Sequence, residues 1–238
     1  MKYEKVKKYD KELIKNKIMG PNPLKLLEEL LIDNKIKEGS TVMDLGSGTG
    51  LTSVFLAKEY NYKVYAVDLW SEVEDNRGFF DSMNIPHTQI IPVKMDATDL
   101  KFNYEYFDAV ISTDSYNYFG RDDNYLDDKL LPFVKKGGYI YITVPGMKKD
   151  CHDNIPKELL LSWNSEELDY IHDVDYWKNI IFKSKDSEIV SIYEMESNRE
   201  CWLDWIECDN DYARNDKKSI DAGALKYLNF IGIVLRKR

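Results

Sequence analysis

Four carboxylates stand where apolar runs of the sequence end: Asp44 after Thr41-Val42-Met43, Asp68 after Val64-Tyr65-Ala66-Val67, Asp96 after Ile90 to Met95, and Asp114 after Val110-Ile111-Ser112-Thr113. An ionised carboxylate accepts hydrogen bonds and carries negative charge, so this set suits a ligand with hydroxyls or a positive charge. Asp44 is followed by alternate glycines, Gly46, Gly48 and Gly50, and then by a helical run from Leu51 to Ala57. Glycines let a backbone turn sharply and a ligand approach closely, and the first turn of a helix offers free N–H groups at its positive dipole end. The stretch reads as a nucleotide-type ligand site.

The spacing says which kind of ligand. A dinucleotide fingerprint is G-x-G-x-x-G, which needs a glycine at Leu51; this chain has G-x-G-x-G instead. A pyrophosphate sits badly beside Asp44, whereas a cationic ligand does not. A nicotinamide-dependent oxidoreductase is therefore the disfavoured alternative. Asp68 lies about 20 residues past the loop, where an acid at the end of a second strand accepts hydrogen bonds from ribose hydroxyls; capping a helix that begins near Ser71 is the competing role, and the two are compatible.

Two histidines, His152 and His172, are the possible general bases, because imidazole titrates near neutral pH. Cys151, His152 and Asp153 are adjacent and so cannot easily point three ligands at one ion, and no metal is expected.

The elements that position these groups follow from the pattern. Leu24 to Ile32 has helical apolar spacing, and Gly20-Pro21-Asn22-Pro23 breaks it from a weaker helical pattern over residues 1 to 20. Lys63–Val67, Gln89–Met95 and Phe107–Asp114 read as strands two to four. Leu126–Val134 reads as a helix that Lys135-Lys136-Gly137-Gly138 stops, and Tyr139–Val144 as the fifth strand. Strands alternating with helices, with acids at successive strand ends, predict a binding crevice along one edge of a parallel sheet.

The Asp44-x-Gly46-x-Gly48-x-Gly50 spacing resembles the first motif of class I S-adenosylmethionine-dependent methyltransferases. Phe107-Asp108-Ala109-Val110 is similar to that family's fourth motif. The Lys-Lys-Gly-Gly-Tyr-Ile run at 135–140 resembles its Pro-Gly-Gly and strand element, with Lys136 in place of the usual proline. Met19-Gly20-Pro21-Asn22 resembles an N-terminal element of a small-molecule subgroup in which the first helix closes over the cofactor; a helix stop followed by a turn is the plainer reading.

The resemblance implies an α/β fold: a doubly wound, seven-stranded, mostly parallel sheet with an antiparallel last strand, plus a helical cap. It implies S-adenosyl-L-methionine as cofactor and methyl transfer to a small-molecule acceptor. The cofactor site would comprise Asp44, Gly46, Ser47, Gly48, Gly50 and Asp68, with Asp96 and Ala97 at the adenine, Leu69 or Trp70 over its ring face, and Asp114 beside the methionyl part. A non-catalytic protein that binds S-adenosylmethionine has the same motifs and stays open as an alternative. One methyltransferase domain is expected over 1–238, with a core of about 24–145 and 185–238 and a cap or lid from 1–23, 146–184 and 197–222.

In that cap, Pro156 to Trp163 and Asp175 to Phe182 read as helices. Ser187–Tyr193 and a run near the C-terminus read as the last two strands, which form a hairpin in this family. The helix inserted between them carries Trp202 and Trp205 on one face. With Met19, Tyr116 and Tyr118 it is expected to wall an acceptor pocket for a small, partly apolar substrate; the competing role of the indoles is to anchor that helix.

A net charge of −9 over 238 residues argues against a nucleic acid partner. No apolar stretch approaches a membrane span, the N-terminus is too charged for a signal peptide, and three cysteines without C-x-x-C spacing read as free thiols. A cytoplasmic location is expected.

Overall fold

A computed structural model describes residues 2–238. The first strand, β1 (Thr41–Leu45), lies inside the sheet because its apolar residues are buried on both faces. It pairs in parallel with β2 (Lys63–Asp68) on one side and β4 (Phe107–Thr113) on the other. β3 (Ile90–Lys94) extends the sheet beyond β2, and β5 (Val134–Met147) continues it in parallel from β4. β7 (Leu228–Lys237) runs antiparallel to both β5 and β6 (Ser187–Glu194), giving the order β3-β2-β1-β4-β5-β7-β6. The seven strands and the antiparallel last strand are as expected.

Eight helices are assigned among the described residues: α1 (Lys11–Lys17), α2 (Pro23–Leu30), α3 (Leu51–Tyr60), α4 (Val73–Ser82), α5 (Ser165–Leu168), α6 (Val174–Ile181), α7 (Asn198–Trp205) and α8 (Asp211–Asp221). Side chains alternate across β1, so Val42 joins a core with Leu24, Leu27 and Phe55 of α2 and α3, while Met43 and Leu45 join Val110, Ile142 and Trp177 on the other face. α7 and α8 fall between β6 and β7, where the lid helix is expected.

Three segments differ from the sequence reading. The expected helix over Leu126–Val134 is a π-helical turn, Tyr125–Leu130, followed by a 3-10 turn at Leu131–Phe133, because Pro132 supplies no N–H to continue an α-helix. Lys135-Lys136-Gly137-Gly138 is not a separate turn: β5 begins at Val134, which pairs with Phe107, and the register slips before Ala109 meets Tyr139. Gly137 (φ +73°) takes the left-handed conformation of this irregularity. The expected helix over Pro156–Trp163 shrinks to one 3-10 turn, Leu159–Leu161.

Candidate functional site

The glycine loop is held from below by its own strand neighbours. Gly46 and Ser47 donate their N–H groups to the Val67 carbonyl (2.8 and 3.1 Å), and Gly50 donates to Ser47 (2.9 Å). Gly48 donates to Asp68 Oδ2 (2.9 Å), while the Asn76 side chain of α4 donates to the Gly48 carbonyl (3.1 Å). Asp68 Oδ1 accepts from the N–H groups of Trp70 and Ser71. Asp68 thus fixes the turn after β2, although α4 starts only at Val73, and its carboxylate edge still faces the cavity that these loops enclose.

That cavity, about 580 Å³, opens along the carboxyl ends of β1, β2 and β4. It brings together Gly46, Ser47, Gly48, Asp68, Leu69, Trp70, Asp96, Ala97 and Asp114, with Met19 and Tyr118 at one side. The Ser47 hydroxyl is buried with no partner among the described residues. Asp96 uses Oδ1 to accept from Thr98 N–H and Oγ1 (both 2.7 Å), and the Thr98 N–H leads in holding its pKa below the ordinary range. Leu69 and Trp70 stand exposed at the rim, Trp70 at 83%.

Besides the two histidines, three expected site residues are elsewhere. Asp44 shares the Val42 face of β1, so it points beneath the loop at the start of α3, where Oδ2 accepts from Thr52 Oγ1 (2.7 Å) and Ser53 Oγ (2.6 Å). Burial raises its pKa to about 6 against those two hydrogen bonds, with the Asp68 charge adding to the rise. Gly50 lies behind the cavity as the residue before α3: at φ +82° a Cβ would sit 2.4 Å from the Phe80 ring, so this glycine packs α3 onto α4. Tyr116 turns into the opposite core, fully buried against Phe119, Tyr125 and Trp177 and lying across Gly120. Within the 3-10 turn Tyr116–Tyr118, residues two apart point in different directions, so that of the two tyrosines Tyr118 is the one at the cavity.

Met19-Gly20-Pro21-Asn22 does more than stop a helix. Gly48 leaves the room that Met19 Sδ fills, since a Cβ there would lie 3.1 Å from the sulfur, and a Cβ on Gly20 would lie 3.1 Å from Asp114 Oδ2. Asn22 caps α2 through Leu24 N–H (3.0 Å), donates from Nδ2 to Asp204 of α7 (2.6 Å), and donates its own N–H to the Cys201 carbonyl (3.1 Å). The element therefore joins the glycine loop, the end of β4 and the inserted helix.

A second cavity, about 870 Å³, adjoins the first and shares Met19, Gly20, Pro21, Asp114 and Tyr118 with it. Its far walls come from the inserted segments: Trp163 and Tyr170, Trp202 and Trp205 of α7, and Asp216 of α8. Trp202 is 6% exposed, edge-on to Trp163 with ring centroids 5.6 Å apart, and Trp205 Nε1 donates to Asp216 Oδ2 (2.8 Å). Asp216 and Asn117 were missed in sequence: Asp216 is one of several acids on a charged helix, and Asn117 sits in an aromatic loop. Asp114, at the junction of the cavities, has φ +58°, and no side chain or N–H among the described residues donates to its carboxylate. Burial first, and then the Asp216 charge, raise its pKa to about 7.

His152 and His172 line neither cavity. Their rings meet 4.9 Å apart, His152 Nδ1 faces Asp150 at 3.1 Å, and His172 stacks on Tyr176 at 3.5 Å. Asp150, His152 and His172 have ligand atoms within 4.8 Å of one another and could hold a divalent ion. Sequence could not show this group, because the histidines lie twenty residues apart and meet only where the chain returns to bridge His172 to Gly146.

Residues 42–138 match the family described as a methyltransferase domain. No curated protein matches the chain in sequence. Among similar solved structures is the phosphoethanolamine N-methyltransferase 2 of Haemonchus contortus in complex with S-adenosyl-L-methionine, at 19% identity over 100% of this chain and 58% of that one, TM-score 0.71. Another is the geranyl diphosphate C-methyltransferase of Streptomyces coelicolor A3(2) in complex with Mg2+, geranyl diphosphate and S-adenosyl-L-homocysteine, at 15% identity over 90% of this chain and 79% of that one, TM-score 0.70. The 4+2 cyclase SpnF is similar too, at 15% identity over 89% and 79% of the two chains, TM-score 0.69. At these identities the likeness is one of fold.

Proposed function

From the premise that the chain carries a methyltransferase domain on the class I fold, we propose that it transfers a methyl group from S-adenosyl-L-methionine to a small-molecule acceptor. One observation carries this reading: the glycine loop spends the N–H groups of Gly46, Ser47, Gly48 and Gly50 within the protein, beside a cavity walled by Asp68, Asp96 and Asp114. A pyrophosphate wants free N–H groups and no carboxylates; a nucleoside bearing an ammonium and a sulfonium wants the reverse.

In this reading Asp68 takes the ribose hydroxyls, Asp96 the adenine amine, and Trp70 the ring face. Asp44 acts through the loop it supports. Methyl transfer is an in-line displacement, so the chain's part is to orient two ligands across the Asp114 junction and exclude water. Segments 1–23, 146–184 and 197–222 serve as the cap that closes the acceptor side of a single domain. Three free cysteines support a cytoplasmic location, and no helix among the described residues is long and apolar enough to cross a membrane.

Thermal unfolding tests the reading. S-adenosylhomocysteine at about 100 times its dissociation constant should add roughly 2.7 kcal/mol of stability, and NAD should add none. A shift with NAD alone would overturn the assignment.

A further inference from the structure

The second cavity has a chemical bias that its shape does not require. Its lining includes Asp114, Glu166, Glu167, Asp169 and Asp216, and among the described residues no Lys, Arg or His. Two of these acids are already engaged: Asp169 is paired with Arg121 (2.9 Å), and Glu167 completes the cap of α5 with Asn164. Of the other three, Glu166 is exposed, Asp216 accepts one bond from Trp205 through Oδ2, and Asp114 has no donor among the described residues; Asp114 and Asp216 stand with Trp163, Trp202 and Trp205 around them.

Acids alone would not make a site, but two buried polar groups on the same wall have no partner among the described residues. Asn117, 1% exposed, has an unpaired Oδ1 acceptor, and Trp202, 6% exposed, has an unpaired Nε1 donor. An orphaned amide oxygen among carboxylates and indole faces is matched by a ligand that donates hydrogen bonds, carries positive charge and has an apolar body. Resting on the methyl-transfer reading above, we propose that the acceptor is a cationic amine, anchored between Asp114, Asn117 and Asp216 and methylated on nitrogen.

A phosphorylated acceptor would meet carboxylates where it needs guanidinium or ammonium groups. The two similar methyltransferases named above take their names from phosphoethanolamine and geranyl diphosphate, both phosphorylated, and this cavity is built for the opposite charge. Burial raises the pKa of both Asp114 and Asp216, so ionising either carries a cost that a bound cation offsets.

The chemistry closes at Asp114. Its carboxylate, at the junction of the two cavities, takes a proton from the acceptor ammonium and leaves the nitrogen lone pair free. That pair forms the new N–C bond as the C–S bond breaks, its electrons staying on sulfur. The positive charge passes to the methylated ammonium, and Asp114 returns its proton to solvent through the open cavity.

Protein saturated with S-adenosylhomocysteine is titrated with phenethylamine, 2-phenylethanol and phenethyl phosphate, read by tryptophan fluorescence, and the same three are offered with S-adenosylmethionine while S-adenosylhomocysteine release is followed. The amine is expected to perturb the fluorescence, to be methylated, and to bind roughly 10- to 100-fold more weakly to Asp216→Asn, which keeps an acceptor for Trp205 and leaves S-adenosylhomocysteine affinity unchanged. A response confined to the alcohol or the phosphate, or no response to the amine, overturns the amine class while the methyl-transfer reading stands. Failure of S-adenosylhomocysteine to bind removes that reading, and this inference falls with it.

Discussion

The two adjoining cavities are made in different ways. The first is a product of the sheet: its walls are the ends of β1, β2 and β4 and the loops that leave them, and much of its polarity is backbone held by near neighbours such as Val67 and Asp68. The second is a product of insertions: Trp163, Trp202 and Asp216 come from three separate segments, brought together only when the cap packs. A site assembled from a strand end and its own turn is fixed by local rules, whereas one assembled from three distant segments is free to change chemistry without disturbing the sheet. Asp114 belongs to both, and the contrast should be greatest in variants that separate them.

The largest expected effect is at Gly50. Replacement by Ala forces a Cβ to 2.4 Å from the Phe80 ring at φ +82°, so strain and overpacking together should cost about 2–4 kcal/mol in urea unfolding. If Gly50→Ala unfolds like the parent chain, the loop is not clamped between α3 and α4, and the account of the first cavity as a rigid product of the sheet fails.

Next is Asp68→Ala. Its carboxylate accepts from Gly48, Trp70 and Ser71 and is also assigned to ribose, and bonds to a charged group contribute about 1.5–3 kcal/mol. S-adenosylhomocysteine affinity should fall roughly 10- to 100-fold by calorimetry. With S-adenosylhomocysteine raised to saturation, fluorescence changes from the second cavity should persist; their loss would mean the two cavities are one cooperative unit.

These effects also mark how far the sequence is legible. The glycine loop, the four strand-end acids and the alternation of strands with helices follow from periodicity and turn chemistry, which are local, whereas the seven strands with an antiparallel last one are what the family resemblance implies. Asp44 departs from its expected place because alternation puts it with Val42 beneath α3, a consequence of strand facing that the motif spacing does not encode. Tyr116 and Tyr118 look equivalent in sequence, yet one turn of 3-10 helix sends them to opposite sides of the loop. Asp216 becomes a site residue only through its bond to Trp205, eleven residues away and in another helix. The second cavity is long-range throughout, and its chemistry was correspondingly hidden.

The junction itself is tested by pH. With a folded pKa of about 7 against about 3.9 when unfolded, Asp114 keeps in the folded state a proton that the unfolded chain releases. Stability from this group is therefore lost as pH climbs from about 4 through 7, the reverse of a salt-bridged acid. Asp216 and Tyr118 are the titratable groups coupled to it, and Lys17, on the first cavity's wall, holds its ammonium over the Phe79 ring. Asp114→Asn should raise the melting temperature more at pH 8 than at pH 5, while abolishing a rise of turnover with pH centred near 7. Equal shifts at both pH values would show that Asp114 is already paired.

The smallest effect is expected at Trp70, where the two cavities differ least from ordinary surface. At 83% exposed the indole adds little to folding, so Trp70→Ala should leave unfolding almost unchanged, unlike a buried wall residue such as Trp202. If it closes over the adenine ring, the stacking is worth about 0.5–1.5 kcal/mol beyond area burial, which is roughly a three- to tenfold loss of S-adenosylhomocysteine affinity. The parent chain should also lose part of its tryptophan emission on binding S-adenosylhomocysteine, and Trp70→Ala should lose less, since the three second-cavity indoles are already packed. An unchanged affinity together with unchanged quenching would place the adenine away from Trp70 and leave Leu69 as the residue on its face.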